Sequence, residues 1–158
     1  NPDYAEAHSQ LGDILRNLGK SQQAEICCRK AIELNPNYAD AYLNLGTILA
    51  DLSKFKEAEI CCRKAIELKP NSSINHSNLG SILKYLGDLK EAALSLRKAI
   101  DINPKNAHSH YLLSTIYSSE NNYVKAYEEI MIAIKINPSN HIFQGELNRI
   151  KFIKEEFD

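Results

Sequence analysis

The sequence predicts an all-α fold, a solenoid of paired helices, and three observations support this. The segment AEICCRKAIEL occurs twice, at 24–34 and at 58–68, which sets an offset of 34 residues. The same offset returns similar residue types along most of the chain. Apolar residues within each unit recur every three or four positions, which is the spacing of one helix face. A fixed period of this length indicates stacked supersecondary units.

The period extends well beyond the duplicated segment. Proline, leucine and two alanine positions each return in four successive units. The columns are Pro36, Pro70, Pro104 and Pro138; Leu11, Leu45, Leu79 and Leu113; Ala24, Ala58, Ala92 and Ala126; and Ala31, Ala65, Ala99 and Ala133. Glycine follows the leucine at Gly12, Gly46 and Gly80, and Ser114 replaces it in the fourth unit. These columns share one register, so the chain contains four copies of one unit.

Each unit is predicted to form two helices joined by a tight turn. In the first unit, residues 5–18 carry one apolar stripe and residues 21–34 carry a second. Pro36 ends the second helix, because proline lacks an amide donor and disfavours helix in the residue before it. The small residues Gly12 and Ala24 let the paired helices approach closely. A pair this short cannot bury its own stripe, so neighbouring pairs must stack.

The pattern L-G-x-x-L, followed by two alanines and a proline on a 34-residue period, resembles the tetratricopeptide repeat, as a bacterial-type array. The resemblance covers residues 3–138 and implies a right-handed α–α superhelix. First helices would line a concave groove and second helices would lie outside. The expected units are 1–4 as the tail of a preceding repeat, repeats at 5–38, 39–72, 73–106 and 107–140, and a capping helix at 141–158.

Both ends carry expectations of their own. Residues 1–4 match 35–38 in pattern, and the chain starts with Asn1 rather than Met, so we expect a fragment of a longer array. The C-terminal segment has an apolar stripe at helical spacing, formed by Phe143, Leu147, Ile150, Ile153 and Phe157. This stripe predicts a helix that caps the fourth repeat, since arrays need a terminal unit with a polar outer face. The alternative is a docking helix for a following domain.

Composition limits the classes of partner. Charged residues make up 25% and apolar residues 44% of the 158 residues, and the net charge is −1. Nucleic acid is not expected as a partner, because phosphate binding needs clustered Lys and Arg. A membrane is not expected either, because no apolar run approaches the ~18 residues that cross a bilayer. We expect a cytoplasmic protein that needs no cofactor.

The paired cysteines are a candidate metal or redox site that the helical pattern argues against. Adjacent helical residues point ~100° apart, so Cys27 and Cys28 cannot chelate one ion together. Zinc sites need a converging spacing such as C-x-x-C. Equivalent cysteines in stacked repeats should lie ~10 Å apart, beyond the ~7 Å Cα separation that a disulfide tolerates. We expect Cys28 and Cys62 to be small core residues and Cys27 and Cys61 to lie at the edge of the core.

No catalytic constellation is expected. His8, His76 and His110 occupy an inter-helix packing column. The sequence shows no nucleophile–base arrangement, Gly-rich phosphate loop or carboxylate pair with a functional spacing. The protein is therefore expected to be a non-catalytic protein–protein interaction module, with no metal site.

The resemblance places the ligand face on the first helix of each pair. Carried over residue by residue, the candidate groove residues are Gln10, Asp13, Asn17, Asp40, Leu43, Asn44, Thr47, Asp51, Asn78, Ser81, Lys84, Tyr85, His108, Tyr111 and Thr115. Among them, Gln10, Asn44 and Asn78 form a carboxamide column that resembles the asparagine ladder of the O-linked N-acetylglucosamine transferase arrays, and Leu112 ends it. A carboxamide has both a donor and an acceptor, so it can pair with the backbone of an extended peptide. The alternative is that these amides cap local structure or face water.

Groove charge indicates the kind of ligand. Four acids (Glu6, Asp13, Asp40, Asp51) and two bases (Arg16, Lys84) give a balance of −2. A neutral to basic extended segment of a partner protein is therefore the expected ligand. The Lys and Arg cluster by which chaperone-tail arrays hold a C-terminal carboxylate is missing. Two alternatives remain open, namely an element that stacks end to end by self-association and a substrate-recruiting array of a larger enzyme.

A second surface stands out on the outer helices. Ile26, Ile60 and Leu94 share one column that lies about 200° around the helix from the packing stripe. Glu25 and Glu59 occupy the neighbouring column. Either Arg and Lys stems cover the apolar column, or it contacts another chain.

Overall fold

The computed structural model describes the backbone of residues 2–157 and the side chains of residues 4–153. These residues form nine helices and no strand. The helices are α1 (Pro2–Asn17), α2 (Ser21–Leu34), α3 (Ala39–Asp51), α4 (Phe55–Leu68), α5 (Ser73–Leu86), α6 (Leu89–Ile102), α7 (Ala107–Ser119), α8 (Tyr123–Ile136) and α9 (His141–Phe157).

The helices pair in chain order, α1 with α2 through α7 with α8, and the pairs stack. Each first helix packs on the next first helix, from α1 to α3, α5, α7 and α9. Within the described residues, the backbones of successive second helices do not approach one another. The stack is therefore shorter along its first helices, which form a continuous inner layer on the concave side.

The small residues allow the close packing expected of each pair. Cys28 and Cys62 are fully buried, and each packs against the glycine of its own pair. A Cβ added at Gly46 would lie 2.9 Å from the Cys62 Sγ, so the helix pair leaves no room for a side chain there. Burial raises the pKa of the Cys28 thiol to about 12, and that of Cys62 to about 12 as well. The prediction of small core cysteines is confirmed.

The C-terminal helix α9 packs on α8 and α7. Phe143, Leu147 and Ile150 are buried beneath it, as a capping stripe requires. Ile153 is half-buried, and the side chain of Phe157 lies outside the described residues. The prediction of an amphipathic helix that covers the fourth repeat is confirmed over the part of the stripe that the structure describes.

The N-terminal residues match 35–38 in sequence pattern but differ from them in conformation. Residues 2–4 belong to α1, whereas Pro36 lies in a turn. Proline is well tolerated in the first turn of a helix, where its missing N–H has no intrahelical partner. The assignment of residues 1–4 to the tail of a preceding repeat stays a prediction, and Asn1 lies outside the described residues.

The side of α1 that faces away from the other helix pairs is an open apolar face. Leu11 is 43% exposed and Ile14 is 55% exposed, whereas their counterparts Leu45 and Ile48 are 2% and 0% exposed. Leu45 and Ile48 are buried because the first helix pair stacks on α3. No helix occupies the corresponding place against α1 in the described structure.

Candidate functional site

The inner layer brings six of the candidate groove residues into one pocket. The pocket has a volume of about 490 Å³ and lies where α3, α5 and α7 meet on the concave side. The six are Thr47, Asp51, Asn78, Ser81, Tyr85 and His108. The remaining lining residues are Ala50, Ser53, Phe55 and Ile82. The carry-over by repeat position therefore selects a majority of the side chains around the pocket.

The most exposed aromatic side chain of the pocket is Tyr85, which is 71% exposed. Its ring stacks on the ring of Phe55, with centroids 5.0 Å apart and planes 11° apart. Phe55 is the first residue of α4, so it lies outside the first helices that the repeat pattern assigns to the groove. Position in the repeat cannot reveal this contact, because it joins the start of a second helix to the end of the next first helix.

One carboxylate lines the pocket, that of Asp51. The Nη1 of Arg16, in the preceding repeat, lies 3.5 Å from the Asp51 Oδ2. This is a long, exposed ion pair, and such pairs are held loosely. The imidazole of His108 also lines the pocket. The His108 side chain is exposed, but desolvation by the surrounding groove and, secondarily, the Lys84 ammonium lower its pKa, so the neutral ring is favoured near pH 7.

The carboxamide column is partly used inside the protein. The Asn44 Nδ2 donates to the Ser9 Oγ at 3.0 Å, and the Asn78 Nδ2 donates to the Thr47 Oγ1 at 3.2 Å. Each bond joins one repeat to the preceding one. Gln10 donates to the Glu6 Oε1 at 2.9 Å within α1. The amide N–H donors therefore bond within the protein, as the alternative of a local structural role expects.

The side-chain carbonyl oxygens of Asn44 and Asn78 differ from their amide nitrogens in this respect. Across the side chains that the structure describes, no protein group donates to the Asn44 Oδ1 or to the Asn78 Oδ1. A carbonyl oxygen has two lone pairs and accepts from any N–H that reaches it. The column therefore offers two carbonyl acceptors, one repeat apart, and Asn78 is the one that lines the pocket.

The fourth repeat closes the groove. Tyr111 is half-buried and stacks on Phe143 of α9, with ring centroids 5.3 Å apart. Thr115 donates to the Leu112 carbonyl at 2.7 Å, and Leu112 itself is buried. Burial lowers the pKa of Lys84, although the nearby Glu146 carboxylate opposes the shift. Tyr111, Thr115 and Lys84 thus form the C-terminal boundary of the concave surface rather than part of the pocket.

The remaining candidates lie outside the pocket. Asp40 accepts from the Lys69 Nζ at 3.3 Å, and Leu43 is half-buried. In the first repeat, Asp13 lies 3.6 Å from the Arg16 Nε, and Asn17 accepts from the Arg16 Nη2 at 3.4 Å. These side chains share the inner layer with the pocket, but the geometry does not gather them into one site.

The outer column is exposed, as one of its two interpretations requires. Ile26, Ile60 and Leu94 are all largely exposed. The adjacent Glu25 and Glu59 carboxylates accept from Arg29 and Arg63, respectively. Because all three side chains stay largely exposed, any cover by neighbouring Arg and Lys stems is partial. Its use as an interface stays a prediction.

The described residues contain neither a metal site nor a membrane-spanning helix. No group of three or more His, Cys, Asp or Glu side chains there could hold a metal ion. None of the helices described combines the length and the apolar character that crossing a bilayer demands.

Solved structures share this fold. PilF of Pseudomonas aeruginosa superposes with a TM-score of 0.89 at 22% identity, covering 98% of this chain and 71% of that chain. MamA superposes with a TM-score of 0.79 at 25% identity, covering 91% of this chain and 84% of that one. A mutant O-GlcNAc transferase of Thermobaculum terrenum gives 0.78 at 20% identity; the match covers 84% of this chain but only 26% of the transferase. The all-α solenoid fold predicted from the sequence is confirmed.

Family models match along most of the chain, although no curated protein sequence matches it. Models of the tetratricopeptide repeat match residues 5–38, 39–72 and 107–140. A further model, described as a TPR repeat, matches residues 80–119. Together with the structural matches, these show that the chain belongs to the tetratricopeptide repeat family.

Proposed function

We propose that this chain is a non-catalytic interaction module whose concave face binds an extended segment of a partner protein. Proteins of this repeat family typically bind proteins or peptides. The observation that carries the proposal is the pair of carbonyl acceptors on Asn44 and Asn78. They lie on the inner layer, where Asn78 lines the pocket, and they receive no described hydrogen bond from the protein.

The spacing of these acceptors suits a polypeptide backbone. Asn44 and Asn78 occupy equivalent positions on packed helices, which lie ~10 Å apart. In a polyproline II conformation the chain advances ~3.1 Å per residue with three residues per turn, so N–H groups three residues apart point the same way and span ~9 Å. Bonds from backbone N–H groups to these carbonyls would bind a segment whatever its side chains, and the pocket would add selectivity.

The charge of the groove favours a neutral to basic segment. The inner-layer acids Asp40 and Asp51 are paired only through exposed contacts of 3.3 and 3.5 Å. Such pairs exchange readily with ligand charges, because both partners are already solvated. An acidic segment would meet the net negative balance of the groove and be disfavoured.

The proposal is tested by selecting binders from a random 12-residue peptide display library on the immobilised chain. Selected peptides are then titrated against two double variants, Asn44→Ala/Asn78→Ala and Asn44→Asp/Asn78→Asp. The alanine pair removes the acceptors and should weaken binding at least tenfold, because two hydrogen bonds to the ligand are lost. The aspartate pair keeps an acceptor oxygen at each position and should retain binding.

The matched control is Asn71→Ala, since Asn71 is an exposed turn residue. It should bind as the wild type does. Thermal denaturation of every variant separates loss of binding from loss of folding. Wild-type affinity in the alanine pair, with its fold intact, would contradict the role of the carboxamides.

End-to-end stacking is a second candidate, favoured by the open apolar face of α1. Leu11 and Ile14 would be covered by another helix pair in the way that Leu45 and Ile48 are. In that case the mass measured by light scattering rises with concentration, and Leu11→Glu/Ile14→Glu abolishes the rise while Ile26→Glu does not. A monomer at all concentrations would exclude stacking. An array that recruits substrates for an enzyme domain would use the same groove, so this third alternative concerns what is attached and not what binds.

A further inference from the structure

We infer that the pocket between α3, α5 and α7 receives an arginine side chain of the bound segment. The guanidinium would stack on the open face of Tyr85 and pair with the Asp51 carboxylate. This inference rests on the proposed function and deepens it, because it names the side chain that gives the groove its selectivity.

The pocket contains an aromatic platform, the ring of Tyr85. Phe55 stacks against Tyr85 at 5.0 Å with nearly parallel planes, so one face of the tyrosine ring is supported by protein. The ring is nevertheless 71% exposed and lines the pocket. A cation over the face of a tyrosine ring is attracted by the ring's negative face. A supported, open ring is thus a suitable surface for a flat cation.

The pocket also contains a carboxylate, that of Asp51. Asp51 is the only Asp or Glu among the described lining residues, and it shares the pocket with Tyr85. The chain itself shows that a guanidinium can reach this carboxylate, because Arg16 approaches it to 3.5 Å. That contact is long and exposed, so a ligand guanidinium with a second contact to the ring can displace it.

The described lining of the pocket contains no positive charge that would compete with a ligand cation. Neither Lys nor Arg is among the described lining residues, and the lowered pKa of His108 keeps that ring uncharged near pH 7. A volume of about 490 Å³ is ample for one long side chain. Arginine fits better than lysine, because its planar guanidinium stacks on aromatic faces and forms forked bonds to carboxylates, whereas an ammonium is a point charge.

The test uses the same random 12-residue library, selected in parallel on the wild type and on four variants. Asp51→Asn removes the charge and Tyr85→Leu removes the ring while keeping apolar bulk. Tyr85→Phe keeps the ring and serves as the conservative rescue. Asp101→Asn is the matched control, because Asp101 is an exposed acid on the outer helix α6. Each selected pool is sequenced, and an arginine peptide is titrated against its citrulline and lysine counterparts.

The expected result is arginine enrichment at one peptide position on the wild type, Tyr85→Phe and Asp101→Asn, and its loss on Asp51→Asn and Tyr85→Leu. Citrulline should weaken wild-type binding roughly fivefold or more, as expected for a lost charge contact together with a lost cation–π contact. Peptides that bind with no arginine preference, with equal preference for lysine, or with an aromatic residue or proline at that position overturn the inference but leave the proposed function standing. A library that yields no binder at all overturns the proposed function, and with it this inference.

Discussion

The first and second helix pairs have closely similar sequences and different surroundings. Their second helices both contain AEICCRKAIEL, and their first helices both carry a leucine–glycine pair and an isoleucine three positions after the leucine. Yet Ile14 is exposed, whereas Ile48 is fully buried, because the first helix pair, α1 and α2, packs against α3. The burial of a side chain in a stacked array therefore depends on the neighbouring pair as much as on its own pair.

The same contrast explains where the pocket lies. The groove position of the second repeat is completed by Tyr85 and His108 from the third and fourth repeats. A ligand site in such an array is shared among successive pairs. Repeats with near-identical sequence can consequently differ in function.

The largest difference is expected at the two isoleucines. Ile48→Ala removes a fully buried side chain and should lower the free energy of unfolding by about 3 kcal/mol, through lost transfer energy and the cavity left behind. Ile14→Ala removes an exposed side chain and should cost less than about 1 kcal/mol. Urea denaturation of both variants checks this. Equal losses would mean that Ile14 is covered in solution, as the stacking alternative requires.

The next effect concerns the close approach within a pair. Gly46→Ala places a Cβ 2.9 Å from the Cys62 Sγ and should destabilise by about 1 kcal/mol net, because overpacking outweighs the gain in helix propensity. In Gly46→Ala/Cys62→Ala the sulfur is gone, so the two changes should couple favourably by about 1 kcal/mol.

The control for that experiment is Gly145→Ala in α9, where an added Cβ meets nothing within 4 Å. It should stabilise by about 0.5–1 kcal/mol through helix propensity alone. Thermal or chemical denaturation measures all of these variants. A neutral Gly46→Ala would show that the helix pair can separate at no cost, contrary to the packing described above.

The turns within the first and second helix pairs have different residues at one matched position, Gly19 in the first and Ser53 in the second. Gly19 has a φ of 73°, and its counterpart Ser53 has a φ of 60°. Glycine adopts this left-handed conformation freely, whereas a residue with a Cβ is strained there. Ser53→Gly should therefore raise the free energy of unfolding by about 1 kcal/mol, and Gly19→Ser should lower it by a similar amount. Denaturation shifts of the same sign in both variants would contradict this reading of the turns.

The smallest effect separates Glu25 from Glu59, which occupy the same position in the two copies of the duplicated segment. Hydrogen bonds from Lys54 and Arg29 lower the pKa of Glu25 below its usual 4.5. The counterpart of Lys54 one repeat later is Asp88, so Glu59 lacks the equivalent partner. Because the folded pKa of Glu25 is lowered, its contribution is fully present above about pH 4.5 and is lost as the pH falls through the lowered value.

Glu25→Gln should therefore cost about 0.5 kcal/mol at pH 7, since the partners are exposed. The gap from the wild type should close as the pH falls below about 4.5. Glu59→Gln is the matched control and should cost less at pH 7. Urea denaturation at several pH values measures both, and a gap that widens in acid would contradict the ion-pair origin.

The sequence was sufficient for the fold because its period is strict. The 34-residue offset predicts the helix pairs, and the small-residue columns predict the close approach at Gly46 and Cys62. It was insufficient for the pocket. The Phe55–Tyr85 stack joins a second helix to the next first helix, a contact that no repeat column contains. Nor could it show that the Asn44 and Asn78 donors are already occupied, because Ser9 and Thr47 are ordinary polar residues in sequence.

The most direct test of the central claim is where a ligand contacts the protein. A library-selected peptide is added to isotopically labelled chain, and NMR shift changes are followed at each residue. We predict the largest changes on the inner helices, including the side-chain amides of Asn44 and Asn78 and the ring of Tyr85. Changes confined to the outer column of Ile26, Ile60 and Leu94, with the inner helices unaffected, would contradict the proposal that the concave face binds the ligand.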